Sequence, residues 1–259
     1  LRADRRSSGG ADRPGGEKGP AGADQAGRTE GRAAGGGGRE GRSADRAAPG
    51  LAFIEALIGA SQSGKSTRVK NRLAGRGLPP CRLIWDFKRE YRAFGQVTSD
   101  ILQVCAWARA PSFSIVFQPS FDQEQRAREF GRFCDVALAT VTGGRRRRCL
   151  LAVEELAFVT RPSWSPAAWA QCTCIGMGLG LSVIGTSQHP AQVDKNFFGN
   201  TTAIYCYRLT EWDHVQKMAR VLRVAPADIL QLPAFSYLAR SVADPLRLER
   251  GTVAPGVTG

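Results

Sequence analysis

The chain of 259 residues has only two histidines, and its seven cysteines form no Cys-x-x-Cys pair. Ligands this sparse and scattered argue against a zinc site. An odd set of mostly apolar-flanked cysteines (Cys81, Cys105, Cys134, Cys149, Cys172, Cys174 and Cys206) suits a reducing cytosol, where cysteine packs as a small hydrophobe. No stretch approaches the roughly 18 consecutive apolar residues of a membrane span. The longest apolar runs are strand-sized, such as residues 149–153. The N-terminus has no apolar signal-peptide core. Residues 1–50 lack aromatics and cysteine, have one large aliphatic, Leu1, and hold 14 of the 30 glycines. Such a segment cannot bury enough apolar surface to offset the entropy of ordering it. It reads as a disordered Gly/Arg-rich tail. The start at Leu1 reads as a fragment or a non-standard start codon, and the tail as an extension upstream of the true start. The expected domain is residues 51–250, followed by a flexible C-terminus over 251–259.

Positive charge is abundant. The formal net charge is +13, of which only +3 falls in residues 1–50. A basic folded part attracts polyanions, and nucleic acid is the commonest.

Apolar, strand-sized runs alternate with helical spacing along the folded part. Residues 51–58, 81–87, 114–117, 149–153, 181–185 and 203–207 read as strands. Residues 65–75, 101–108, 119–142, 163–178 and 212–222 read as helices, with Asp100 a helix start. Residues 235–240 and 246–249 read as a terminal hairpin. This alternation predicts an α/β fold, a mainly parallel sheet flanked by helices in one three-layer domain.

Residues Gly59, Ala60, Ser61, Gln62, Ser63, Gly64, Lys65, Ser66 and Thr67 fit the G-x-x-x-x-G-K-[ST] phosphate loop in full, between an apolar strand and a helix. Such a loop points backbone N–H groups at phosphate oxygens, aided by the helix N-terminus. Lys65 is expected to reach the β- and γ-phosphates of ATP, and the Ser66 hydroxyl to ligate Mg²⁺. Hydrolysis also needs an acid at a neighbouring strand tip. The run Leu150–Val153 ends in Glu154 and Glu155. Glu154 takes the metal-side position and Glu155 polarises the attacking water. A third strand ends Gly185-Thr186-Ser187-Gln188-His189-Pro190. Ligands of parallel α/β sheets meet the carboxyl ends of strands, so Gln188 is expected to face the γ-phosphate as a hydrolysis sensor. His189 reads as structural or exposed. Arg145, Arg146, Arg147 and Arg148, at the incoming end of the acidic strand, read as a grip on DNA phosphates without sequence preference, or on an acidic partner.

A phosphate loop, a strand ending Glu-Glu and a strand ending Thr-Ser-Gln-His-Pro, in that order, resemble the FtsK–HerA superfamily of DNA-pumping ATPases. Residues 183–195 and Tyr207-Arg208-Leu209 are similar to that family's sensor strand and the strand after it. The resemblance implies a RecA-like P-loop core working as a homo-oligomeric ring, usually a hexamer, around double-stranded DNA. It also implies a trans-acting arginine, for which Arg208 has motif support and Arg161 only its position. Glu154 departs from the aspartate usual there. A bare core looks most like the genome-packaging ATPases of tailless, often membrane-containing viruses. That implies host-cytoplasmic or virion-associated placement and capsid or portal-vertex partners. The alternatives are a cellular or conjugative HerA/FtsK-like pump, a filamentous-phage assembly ATPase, a P-loop small-molecule kinase, and a nucleotide-binding scaffold without turnover.

Overall fold

The computed structural model describes residues 51–144 and 147–254. Their strands are β1 (Ile54–Ile58), β2 (Cys81–Trp85), β3 (Gln96–Thr98), β4 (Phe113–Phe117), β5 (Cys149–Val153), β6 (Leu181–Ser187), β7 (Ala203–Tyr207), β8 (Ser236–Ser241) and β9 (Glu249–Thr252). The helices are α1 (Lys65–Ala74), α2 (Ile101–Trp107), α3 (Gln123–Thr142), α4 (Ala167–Cys174), α5 (Lys195–Asn200), α6 (Trp212–Leu222) and α7 (Pro226–Leu230). All the strands join one sheet in the order β3-β4-β2-β5-β6-β1-β7-β8-β9. Pairing is parallel from β3 through β7 and antiparallel at β7–β8 and β8–β9.

The sheet's side chains alternate between two cores. Ile54, Ala56 and Ile58 of β1 join the layer containing Phe130 and Phe133 of α3, Trp169 of α4 and Met218 of α6. Leu57 joins the opposite layer, with Val69 and Leu73 of α1. Both faces being covered explains why β5 and β6 are apolar or small at nearly every position rather than alternating with charge. The larger core has an aromatic ladder, Trp85–Phe130 at 5.1 Å, Phe130–Trp169 at 5.5 Å and Trp169–Phe197 at 5.6 Å between ring centroids.

Some boundaries differ from expectation, for local reasons. Helix α3 starts at Gln123 rather than Pro119 because Asp122 accepts the Gln125 N–H at 2.8 Å and caps it there. The preceding turn is held by α3 itself, through Ser120 N–H to Glu129 Oε2 at 2.9 Å. Helix α4 starts at Ala167 rather than residue 163, because Arg161 and Trp164 bridge backbone to backbone and Pro166 takes the cap. The terminal hairpin forms, but its return strand runs Glu249–Thr252 instead of 246–249, since Arg247 N–H turns onto Asp244 Oδ1. Ordered structure thus passes residue 250: Val253 is buried and donates its N–H to Phe235 O at 2.8 Å. Short β3, α5 and α7 have no counterpart in the periodicity reading.

Candidate nucleotide site

Strand order decides what the site contains. β6 lies between β1 and β5, so the three carboxyl ends that carry the phosphate loop, Gln188 and the acidic pair are neighbours. Gly59 N–H donates to Ser187 O at 3.1 Å and Ala60 N–H to Arg208 O at 2.9 Å, which pins the loop's start to the flanking strands β6 and β7. Gly64 stands at φ +112°, a conformation that side chains strain to adopt. Lys65 Nζ donates to the Gly59 and Ala60 carbonyls at 2.7 and 2.8 Å. Burial lowers its pKa to about 8, against the pull of Glu155 and Glu154. A triphosphate is the anion that a buried ammonium held only by carbonyls is suited to meet. Ser66 and Thr67 occupy the first turn of α1, and the Ser66 hydroxyl meets the buried Tyr91. Ser63 is buried, with an Oγ that has no partner among the described residues.

The acid strand and the sensor strand are bonded to each other. Gln188 Nε2 donates to Glu155 Oε1 at 2.8 Å, and Gln188 N–H donates to Glu155 Oε2 at 3.2 Å. Ser61 of the phosphate loop donates its hydroxyl to Gln188 Oε1 at 2.9 Å. Gln188 is therefore a bridge from loop to acid. Glu155 itself sits at φ +56°, which turns its side chain off the strand line, and its N–H is taken by Thr186 Oγ1 at 3.2 Å.

Lys88 is the residue that sequence reading missed. Its Nζ lies 2.6 Å from Glu155 Oε1, and its backbone N–H donates to Glu154 Oε2 at 2.8 Å. A single residue, three past the end of β2, thus holds both carboxylates. Nearby, fully buried Asp86 accepts N–H groups from Glu90 and Tyr91 and shapes the turn. The readable signal was the charged run Asp86 to Tyr91 placed directly after a buried strand, at its carboxyl end.

The two acids are opposite in electrostatics. Burial pushes Glu154 up to about 7, and the Lys88 N–H offsets only part of that. Burial also pushes Glu155 upward, but hydrogen bonds from Lys88 and Gln188, with the Lys88 and Lys65 charges, outweigh it and leave its pKa lowered. Glu155 is a fixed anion. Glu154 Oε1 is buried with no hydrogen-bond partner among the described residues. An orphaned carboxylate oxygen at this strand tip fits a Mg²⁺ ion or its water shell.

The arginines divide. Arg208 is exposed, and its guanidinium has no partner among the described residues. Its position beside Ala60 comes from its backbone carbonyl. Arg161 is exposed past the acidic strand. Arg145 and Arg146 lie outside the described residues. Arg147 is half-buried, donates to the carbonyls of Ala108, at 2.9 Å, and Ala110, and lies 5.5 Å from the Phe113 ring centroid. It ties the start of β5 to the turn before β4. Arg148 is exposed.

No family model matches the chain. Over 176 residues it is 27% identical to Protein P9 of Pseudoalteromonas phage PM2, a match covering 68% of this chain and 78% of that one. Its fold superposes on the genome packaging NTPase B204 of Sulfolobus turreted icosahedral virus 2, in complex with AMPPCP, with a TM-score of 0.62. That match has 16% identity and covers 78% of this chain and 98% of B204. The chain shares the fold of B204. The chain also superposes on VirB4 of Thermoanaerobacter pseudethanolicus at a TM-score of 0.59 and 11% identity, over 78% of this chain and 89% of VirB4. The P-loop fold that the three motifs implied is thus the fold of the described domain.

Proposed function

We propose that the chain is an ATP-hydrolysing motor that moves double-stranded DNA, packaging a viral genome into a capsid. The observation that carries this reading is the continuous bonded path from Ser61 through Gln188 to Glu155 and Lys88, beside Lys65. It joins the phosphate cradle to a fixed carboxylate suited to orienting water. The shared fold with B204, a packaging NTPase, supports it.

In the reaction, Lys65 exchanges its loop carbonyls for phosphate oxygens. Glu155 and Gln188 hold a water in line with the γ-phosphorus. The water oxygen bonds to phosphorus as the bond to the bridging oxygen breaks, giving ADP and phosphate. Glu155, with its lowered pKa, orients the water, and the departing phosphate takes up its proton. The Ser66 hydroxyl and Glu154 Oε1 would hold Mg²⁺, which neutralises charge on the β- and γ-oxygens when bound. An arginine of a neighbouring copy in a hexameric ring, with Arg208 and Arg161 the candidates, stabilises transition-state charge. Such a group is worth roughly 10³–10⁵ in rate. The excess positive charge of the folded part meets the DNA backbone, with Arg148 in contact, and capsid or portal-vertex proteins receive the motor.

The test is ATPase turnover with and without duplex DNA in the unaltered chain, Lys65→Ala and Glu155→Gln. DNA should raise turnover in the unaltered chain, and each substitution should lower it by at least a hundredfold. Equal turnover in all three ends the proposal.

A further inference from the structure

The chain has two histidines, and the fold brings them together. His189 follows Gln188 at the carboxyl end of β6; His214 lies in the first turn of α6, and Glu211 is that helix's cap residue. His214 Nδ1 is 2.9 Å from Glu211 Oε2, and His189 Nδ1 is 4.0 Å from the same oxygen. The imidazole centroids are 5.1 Å apart, and the three ligand atoms all lie within 4.8 Å of one another. The Glu211–His214 contact alone is an ordinary pair at a helix start. His189, arriving from another element, makes it a convergent set. Its approach is fixed by the short turn Pro190–Gln192, which α6 grips through Lys217 Nζ to Pro190 O at 2.7 Å.

We propose that His189, Glu211 and His214 form a three-ligand site for a divalent transition metal of the Zn²⁺ class. Two imidazole nitrogens and one carboxylate oxygen are a donor set for Zn²⁺ or Co²⁺, whereas Mg²⁺ requires oxygens. The site is thus chemically distinct from the oxygen donors Ser66 and Glu154. Bonds of about 2.0–2.1 Å put tetrahedral ligands about 3.3 Å apart. The 2.9 and 4.0 Å spacings bracket that value. The adjustment falls on the two mobile ends: the His189 and Glu211 side chains are 41% and 60% exposed, against 5% for His214. Burial also lowers the His214 pKa, which favours the neutral, ligating imidazole. Two further charges face it with opposite effect, Asp213 and Lys217. Three protein ligands leave a fourth position to water, so this is an open site of moderate affinity. Because ligation needs deprotonated donors, binding tightens as pH rises. Since His189 adjoins Gln188, a bound ion anchors the turn that follows the sensor amide.

The site stands independently of the nucleotide chemistry, and its test uses no nucleotide. Co²⁺ is titrated into the chelator-stripped full chain while visible absorption is followed, then displaced with Zn²⁺ and, separately, Mg²⁺. The comparison variants are His189→Ala and Glu211→Gln, both at exposed side chains, with folding checked by circular dichroism. One ion per chain, a visible band removed by Zn²⁺ but not Mg²⁺, and at least tenfold weaker binding in each variant are expected. Three results overturn the proposal: no visible band, unchanged binding in either folded variant, or a near-ultraviolet thiolate band that alkylation removes. The last would put the ion on exposed Cys105 or Cys174.

Discussion

At Glu154, burial has a measurable consequence for stability. Its pKa is raised from 4.5 to about 7, so between those values the folded chain holds a proton that the unfolded chain releases. The stabilising contribution is full below about pH 4.5 and is lost as pH rises through 7. Relative to Glu154→Gln, the unaltered chain should lose roughly 3 kcal/mol of stability from pH 4.5 to 8. Denaturant unfolding without Mg²⁺ measures it, and a difference that stays constant with pH contradicts the assignment. Lys88 carries a second prediction, because its ammonium helps to keep Glu155 ionised and placed. Lys88→Met should lower kcat at least tenfold and move the acidic limb of the pH–rate profile to higher pH, with Lys88→Arg restoring part of both. A merely structural role for Lys88 would leave the pH profile where it was. Residues of the phosphate loop and Glu154, Glu155 and Gln188 were legible because each ends an apolar run at a strand's carboxyl end. Lys88 was not: no recognisable motif follows its strand, β2, and a lysine there gains meaning only once β2 is known to lie against β5.

Among the elements, β6 is tightly constrained at one position. Gly185 sits where the turn after β5 and helix α5 press on the strand. A Cβ there would stand 2.5 Å from Leu156 Cδ1 and 2.6 Å from Phe197 Cζ. Both neighbours are fully buried, so neither swings aside freely. Gly185→Ala should destabilise the fold by about 1–3 kcal/mol, read as a lower denaturation midpoint at unchanged slope. Wild-type stability in that variant would mean the layer is looser than its packing implies. Long elements were readable from periodicity because each buries one clear face. Short α5 and α7, of six and five residues, offer too little pattern for a period to emerge. The late start of α3 rests on the Asp122 cap, a cue present in the sequence but masked by the apolar Phe121 before it.

For the whole molecule, alternation of strands and helices implied parallel pairing but could not order nine strands. That order depends on crossovers, and it alone puts β6 between the loop strand and the acid strand. Charge at this scale also gives a prediction. Binding to duplex DNA should weaken steeply with salt and show no sequence preference. Arg148→Ala should reduce the slope of log K against log salt by about 1. Arg147→Ala should leave that slope unchanged and lower stability instead, since its guanidinium ties backbone carbonyls. A salt slope that Arg148→Ala does not alter would remove this end of β5 from the proposed DNA surface.

The central position of β1 has a further effect during translation. The nucleotide-gripping end of the chain emerges from the ribosome early, yet the Ile54 N–H finds its Thr202 hydroxyl partner only 148 residues on. Until β6 and β7 emerge, the hydrophobic strand before the cradle has both edges bare, open to stray pairing and to chaperones. The strand that carries the cradle therefore completes its pairing only after β6 and β7 have been made.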